Sequence, residues 1–185
     1  MAVSTLHLVR HGQSEWNVTH RLQGQVAHVP LTPLGLEQAR AAARRLAGRD
    51  IVAVHSSDLL RARRTAEVIG AGLGLAVSLD PGLREQGYGI LEGQPSADVL
   101  ATAPYDFSDP DARAPGGESI REVHERVGRC LAGYAERYAG GECVLVTHGD
   151  AIRIGLAGLQ GLCPADVPWH DAPNGSVTTV QLPVG

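Results

Sequence analysis

Two stretches of this sequence share one plan: Leu8-Val9-Arg10-His11-Gly12 and Leu145-Val146-Thr147-His148-Gly149. Each is an apolar run, one further residue, then His-Gly. A short apolar run that stops at a turn residue reads as a buried strand. In an open α/β sheet, ligands bind outside the carboxyl ends of the strands, where strand order reverses. If the two runs are neighbouring strands, His11 and His148 face one pocket. The glycine after each histidine lets the chain turn sharply and approach a ligand closely.

Working outward, strands alternate with helices. Ser14 to about His20 begins a helix, and a loop with Gly24 and Pro30 follows. Thr32-Pro33 opens the next helix, with Thr as N-cap and Pro at the first helical position; Gly48 closes it. Ile51–Val54 reads as a strand. His55-Ser56-Ser57-Asp58 reads as a turn and cap before a helix running through Arg61 to about Gly70. Leu75–Leu79 is a third strand. Ser119-Ile120-Arg121-Glu122 is a capping box that opens a helix with an apolar stripe from Ile120 to Tyr138. After the strand ending in His148, Asp150 is expected to cap a helix to about Gly161. Ser176–Leu182 closes the chain as a strand. The pattern predicts an α/β fold with a mostly parallel central sheet. Residues 84–117 lack periodicity, and a long irregular excursion of this kind is usually a lid or binding loop. The expectation is one domain over residues 1–185, with a specificity excursion at about 86–117.

Composition narrows the function. The 185 residues carry 43% hydrophobic and 19% charged residues, an ordinary globular balance. The net charge of -4 argues against nucleic acid or an anionic membrane as a partner. All 16 basic residues are arginine. The absence of lysine excludes Schiff-base chemistry on lysine and the Walker phosphate loop. Cys130, Cys143 and Cys163 form no metal spacing and read as reduced thiols, which predicts a cytoplasmic setting. No apolar run approaches the roughly 18 residues of a membrane span.

The residues around the two histidines suit an anion better than a metal. Arg10 places a fixed positive charge beside His11, which opposes a cation. Its planar donors can hold phosphate oxygens in pairs. Arg61, at the start of a helix after a strand, adds charge at the same end of the sheet. His11 can then attack phosphorus as a neutral imidazole, forming a phosphohistidine that water later resolves. Neighbouring cations keep it neutral. The leaving alkoxide needs a proton, for which Glu85 is the candidate, with Glu92 and Glu118 as rivals.

Arg10-His11-Gly12-Gln13-Ser14-Glu15-Trp16-Asn17 resembles the signature of the histidine phosphatase superfamily, which includes phosphoglycerate mutases and many small phosphatases. Arg21-Leu22-Gln23-Gly24, Pro30-Leu31-Thr32-Pro33-Leu34-Gly35, Ser56-Ser57-Asp58-Leu59-Leu60-Arg61, Leu83-Arg84-Glu85, Gly116-Gly117-Glu118-Ser119 and Val146-Thr147-His148-Gly149 continue the resemblance in order. It implies a phosphoglycerate mutase-like, three-layer sandwich. It further implies His11 as the phosphorylated residue and Glu85 as proton donor. Arg10, Arg61 and His148 would bind the phosphoryl group with support from Asn17, and Gln23 and Gly24 would line the substrate entrance. No metal or cofactor is implied, and the expected partner is a small phosphorylated molecule. Gln13, His28 and Arg64 depart from the residues common at those positions. Two alternatives accompany the phosphatase reading: a phosphoglycerate-type mutase and a non-catalytic binder of phosphorylated ligands. Against the mutase, Gly87–Ser96 lacks the lysine-containing extension of that group.

Trp16 is expected to pack, and His7, His20, His55 and His124 to be structural or exposed. His28 and His170 are secondary candidates for substrate contact. Asp106, Asp109 and Asp111 lack the glycine and final glutamate of a calcium loop. Tyr88, Tyr105 and Phe107 make the excursion moderately apolar, which predicts monophosphorylated substrates with an uncharged or weakly polar leaving group.

Overall fold

The computed structural model describes residues 2–103, 106–169 and 171–184. Tyr105 and His170 therefore lie outside the described residues. The elements run β1 (Ala2–Arg10), α1 (Glu15–Val18), α2 (Pro33–Leu46), β2 (Ile51–Ser56), α3 (Leu60–Leu73), β3 (Val77–Leu79), α4 (Ser96–Thr102), α5 (Ile120–Arg137), β4 (Glu142–Thr147), α6 (Gly149–Leu159) and β5 (Val177–Val184). The strands form one sheet in the order β3-β2-β4-β1-β5. All its pairs are parallel except β1 with β5.

Successive strand side chains point to opposite faces of a sheet, and both faces here are apolar. Leu6, Leu8, Cys143 and Leu145 pack on Val123, Val127 and Leu131 of α5 and on Ile152 and Ile154 of α6. Val9, Val54, Val144 and Val146 pack on Ala42 and Leu46 of α2 and on Ala62, Ala66 and Ile69 of α3. Two helical layers thus enclose the sheet, giving the expected three-layer sandwich. No helix of the described residues is long and apolar enough to cross a membrane.

The pairing of β1 with β4 positions the site. Leu8 lies opposite Leu145, Val9 opposite Val146 and Arg10 opposite Thr147. The ladder continues one step further, with His11 N–H donating to Thr147 O (3.0 Å). His11 and His148 therefore leave neighbouring strands at the same level. The chain after β1 leads to α2 on one face, and the chain after β4 leads to α6 on the other. That divergence opens the crevice in which α/β proteins bind ligands.

Several local signals act as the sequence suggests. Thr32 caps α2, its side chain accepting from Gly35 N–H, with Pro33 at the first turn. Ser119 and Glu122 form the reciprocal capping box of α5. Four expectations need correction. His55 and Ser56 are not a turn but the last residues of β2. Asp150 does not cap α6; His148 is the extended N-cap residue, and Asp150 lies in the first turn. Asp58 does not cap α3; Leu59 holds that position without a side-chain bond, while Asp58 pairs with Arg84. The stretch 84–117 is not irregular throughout, since it contains α4.

Gly12 and Gly35 are needed for close backbone approach. A Cβ on Gly12 would collide with Gly35 O, and a Cβ on Gly35 with Gln13 O. This interlock holds the turn after His11 against the start of α2. Both obstacles are backbone, so relief requires moving the chain. Gly35→Ala is expected to destabilise the protein by about 2 kcal/mol, the scale of overpacking a tight site. Chemical denaturation checks this, and an unchanged midpoint would refute the interlock.

Candidate active site

At the carboxyl end of β1, the His11 side chain is buried and lines a cavity of about 140 Å³ together with Arg10, Gln23, Gly24, Arg61 and Glu85. Its Nδ1 lies 2.7 Å from Gly12 O. A carbonyl only accepts, so Nδ1 carries the proton and Nε2 keeps its lone pair. The His11 pKa is held well below the usual value of 6.5, first by burial, then by the charges of Arg61 and Arg10; the Gly12 bond opposes them. His11 is thus a neutral imidazole with a fixed tautomer.

His148 is fully buried, its ring centroid 5.1 Å from that of His11. Its Nε2 meets Ser57 Oγ at 2.9 Å. Burial, then Arg61, His11 and Arg10, keep it neutral. It is not itself among the residues lining the cavity.

The two arginines are built in from the backbone. Arg61 is 1% exposed and donates Nη1 to Val26 O (3.0 Å) and Nη2 to Gly24 O (2.7 Å). Burial pulls its pKa down to about 10, which leaves it charged at neutral pH. Arg10 donates Nη1 to Ala172 O. Among the described residues, Arg10 Nε, Arg61 Nε and His148 Nδ1 are buried without a hydrogen-bond partner. Buried polar groups are normally satisfied. Three orphans within one cluster mark a place where an oxyanion would supply acceptors.

Glu85 sits opposite, held by the start of α6. Its Oε1 accepts from Ala151 N–H (2.9 Å) and Gln86 N–H (3.0 Å), and its Oε2 from Asp150 N–H (3.2 Å). Those bonds and Arg61 favour the carboxylate, but burial and the Asp150 charge outweigh them and push the pKa up to about 7. A carboxyl group poised there can both give and take a proton near neutral pH.

The rival carboxylates are occupied elsewhere. Glu92 Oε1 accepts from Gln25 N–H (2.8 Å) and Tyr88 N–H (3.0 Å). Glu118 is paired with Arg126 at 2.7 Å. Asn17 is not among the cavity-lining residues. Its Oδ1 accepts from Ser14 N–H and Asn174 Nδ2, and Asn174 Nδ2 also reaches His11 O (3.1 Å). Gln23 lines the cavity and accepts from Ser14 Oγ (2.8 Å). Trp16 packs edge-on to His28, with ring centroids 6.4 Å apart. His7, His55 and His124 bond to Glu142, Tyr138 and Leu162 O, respectively. Among the described residues no group of three or more His, Cys, Asp or Glu gathers as metal ligands do.

The far wall includes Tyr88 and Phe107, which the sequence places in the excursion, but Asp150 and Arg153 had no such reading. Tyr88 donates its hydroxyl to Asp150 Oδ2 (2.7 Å), and Arg153 forks onto Asp150 Oδ1 (3.0 and 3.1 Å). Tyr88, Asp150 and Leu22 also border a larger cavity of about 530 Å³. Val99, Leu100, Phe107, Ile120, Val167 and Trp169 line much of it. The apolar character of the excursion signals this wall in the sequence; the contributions of Val167 and Trp169, far along the chain, carry no local signal.

Comparison with known proteins identifies the class to which this fold belongs. The sequence profile of the histidine phosphatase superfamily (branch 1) matches residues 6–184, so the chain belongs to that superfamily. It is 39% identical over 163 residues to a probable phosphoglycerate mutase GpmB of Cronobacter sakazakii (strain ATCC BAA-894), covering 85% of this chain and 75% of that one. A mycobacterial glucosyl-3-phosphoglycerate phosphatase has a similar structure, with TM-score 0.87 and 35% identity, covering 97% of this chain and 90% of the other. A phosphoserine phosphatase mutant from Entamoeba histolytica, solved with phosphoserine, has TM-score 0.85 and 27% identity, covering 95% and 89%.

Orthovanadate, a phosphate-shaped oxyanion, tests the anion site without turnover. At about 100 times its dissociation constant it should stabilise the protein by about 2.7 kcal/mol. Arg10→Met and Arg61→Met should each abolish the rise in melting temperature. A wild-type protein indifferent to vanadate would contradict the assignment.

Proposed function

We propose that the protein is a metal-independent phosphatase that hydrolyses small phosphate monoesters through a phosphohistidine on His11. The observation that carries this reading is the His11 tautomer. With Nδ1–H tied to Gly12 O, the Nε2 lone pair belongs to a residue lining a cavity with the buried Arg61 and the half-buried Arg10, each of which has an unpartnered Nε.

In the first step Nε2 of His11 forms a bond to phosphorus as the bond from phosphorus to the leaving oxygen breaks. Glu85 gives its proton to that oxygen and becomes a carboxylate. Arg10 and Arg61 hold the phosphoryl oxygens, where charge spreads in the transition state. His148 packs its ring edge-on to His11, and its unpartnered Nδ1 would turn to the phosphoryl group once that group is bound. In the second step Glu85 takes a proton from water, the hydroxyl oxygen bonds to phosphorus, and the phosphorus–nitrogen bond breaks. Phosphate leaves, and His11 and Glu85 return to their first states. Gln23 and Gly24 form the lip through which substrate enters. Asn17 supports the site from behind, through Asn174 and the Ser14 turn.

Residues 1–185 then act as one catalytic unit, with residues 86–117 as its specificity segment. The 530 Å³ cavity would receive the organic part of the ester. Its two arginines are already paired, Arg153 with Asp150 and Arg113 with Glu122. This favours an uncharged or weakly polar leaving group over a second phosphate, and so a hydrolase over a mutase handling phosphorylated sugar acids. Three unpaired cysteines support a cytoplasmic setting.

Turnover of para-nitrophenyl phosphate should persist with a chelator present and vanish in His11→Ala; chelator-sensitive turnover, or an active His11→Ala, would defeat the mechanism. The free enzyme needs Glu85 protonated and His11 neutral. Hence kcat/KM should fall as pH rises through about 7, while the acid limb lies well below 6.5. Glu85→Gln should remove the alkaline limb. It should also slow alkyl phosphates by roughly 100-fold more than aryl phosphates, whose leaving groups need no proton. Equal losses on both would remove Glu85 from the acid role. In a substrate panel, bulky apolar monoesters should exceed bisphosphates in kcat/KM, and the reverse order would contradict the assigned role of the large cavity.

A further inference from the structure

We propose that Arg126 and Glu118 form a positioning clamp that sets the reach of Glu85, an inference that rests on the acid role given to Glu85 above. Arg126 projects from α5 and donates Nη1 to Gly82 O (3.0 Å) and Arg84 O (2.9 Å). Its Nη2 donates to Glu85 O (3.1 Å) and Glu118 Oε2 (2.7 Å), and its Nε to Glu118 Oε1 (2.8 Å). Glu118 Oε2 in turn accepts from Gly87 N–H (2.9 Å) and Gln25 Nε2 (3.0 Å), and Gln25 Nε2 also reaches Glu85 O (3.1 Å).

The backbone is thus gripped on both sides of the proton donor. Arg126 holds the carbonyls of residues 82, 84 and 85, and Glu118 holds the amide of residue 87. This stretch belongs to no sheet ladder; without Arg126 the carbonyls of residues 82 and 84 would lose their side-chain donor and that of residue 85 would keep only Gln25. The task needs a guanidinium, whose planar fork serves several acceptors at once; an ammonium is a single point charge. Arg126 and Glu118 expose only 20% and 24% of their side chains, so the pair is poorly screened. Neither residue lines the small cavity, but Glu118 borders the large one. A leaving group seated there would meet the same frame that aims the proton.

The test compares Arg126→Met, Arg126→Lys and Glu118→Gln with Glu85→Gln, using para-nitrophenyl phosphate and 2-phenylethyl phosphate, with melting curves for each variant. Arg126→Met should lose about tenfold more kcat on the alkyl than on the aryl ester, because a displaced acid harms only the leaving group that needs it. The alkaline limb for the alkyl ester should shift as well. Arg126→Lys should not restore the ratio, and Glu118→Gln should move it in the same direction. Equal losses on both esters, or no loss, would overturn the clamp. If Arg126→Met fails to fold, the Glu118→Gln ratio decides. A Glu85→Gln protein without alkyl-selective loss would overturn the acid reading and the clamp together. A selective Glu85→Gln with unselective clamp variants would overturn the clamp alone.

Discussion

The in-register parallel pairing of β1 with β4 is the constraint on which the site depends. It brings two residues 137 positions apart to one level, where each leaves its strand as His-Gly. The backbone bond from His11 to Thr147 extends that register past the strand ends. A slip of one residue would turn His11 to the other face of the sheet. The apolar residues on both faces oppose such a slip, because each has its own helical layer to fill.

The site's electrostatics follow from packing one kind of charge against another. Arg10 and Arg61 cannot be dispersed into water, because their guanidinium groups are tied to backbone carbonyls. Their charge and the burial of the rings keep both histidines neutral, which is the form a nucleophile needs. Glu85 answers to opposite influences. The amides at the start of α6 and the charge of Arg61 draw it towards the carboxylate, while burial and Asp150 draw it back. A balance near neutral pH suits the proposed role, in which Glu85 gives a proton in one half-reaction and takes one in the next.

Much of this was legible in the sequence because it rests on local rules. His-Gly after an apolar run, Thr-Pro at a helix start and Ser-x-x-Glu before a helix each carry their own physical reason. What escaped was set by partners distant in the chain. The sequence put Glu85 ahead of the chemically similar Glu92 and Glu118, but the neighbours that make Glu92 a loop brace and Glu118 an ion-pair member appear only in the fold. The cap of α6 was misplaced because His148 takes that position by backbone geometry, with no side-chain bond to announce it. α4 was missed because seven residues are too few to show a clear period. Arg126 reaches the Glu85 carbonyl across 41 positions, a distance no local pattern spans.

The central claim is a phosphoryl group carried on His11, and direct trapping tests it most closely. The enzyme would be mixed with a rapidly cleaved aryl phosphate, quenched in alkali, where a phosphohistidine survives, and digested for mass spectrometry. The account predicts one added phosphoryl group on the peptide containing His11, lost on acid treatment and absent from His11→Ala. An active enzyme that never carries that group, or carries it on another residue, would contradict the account.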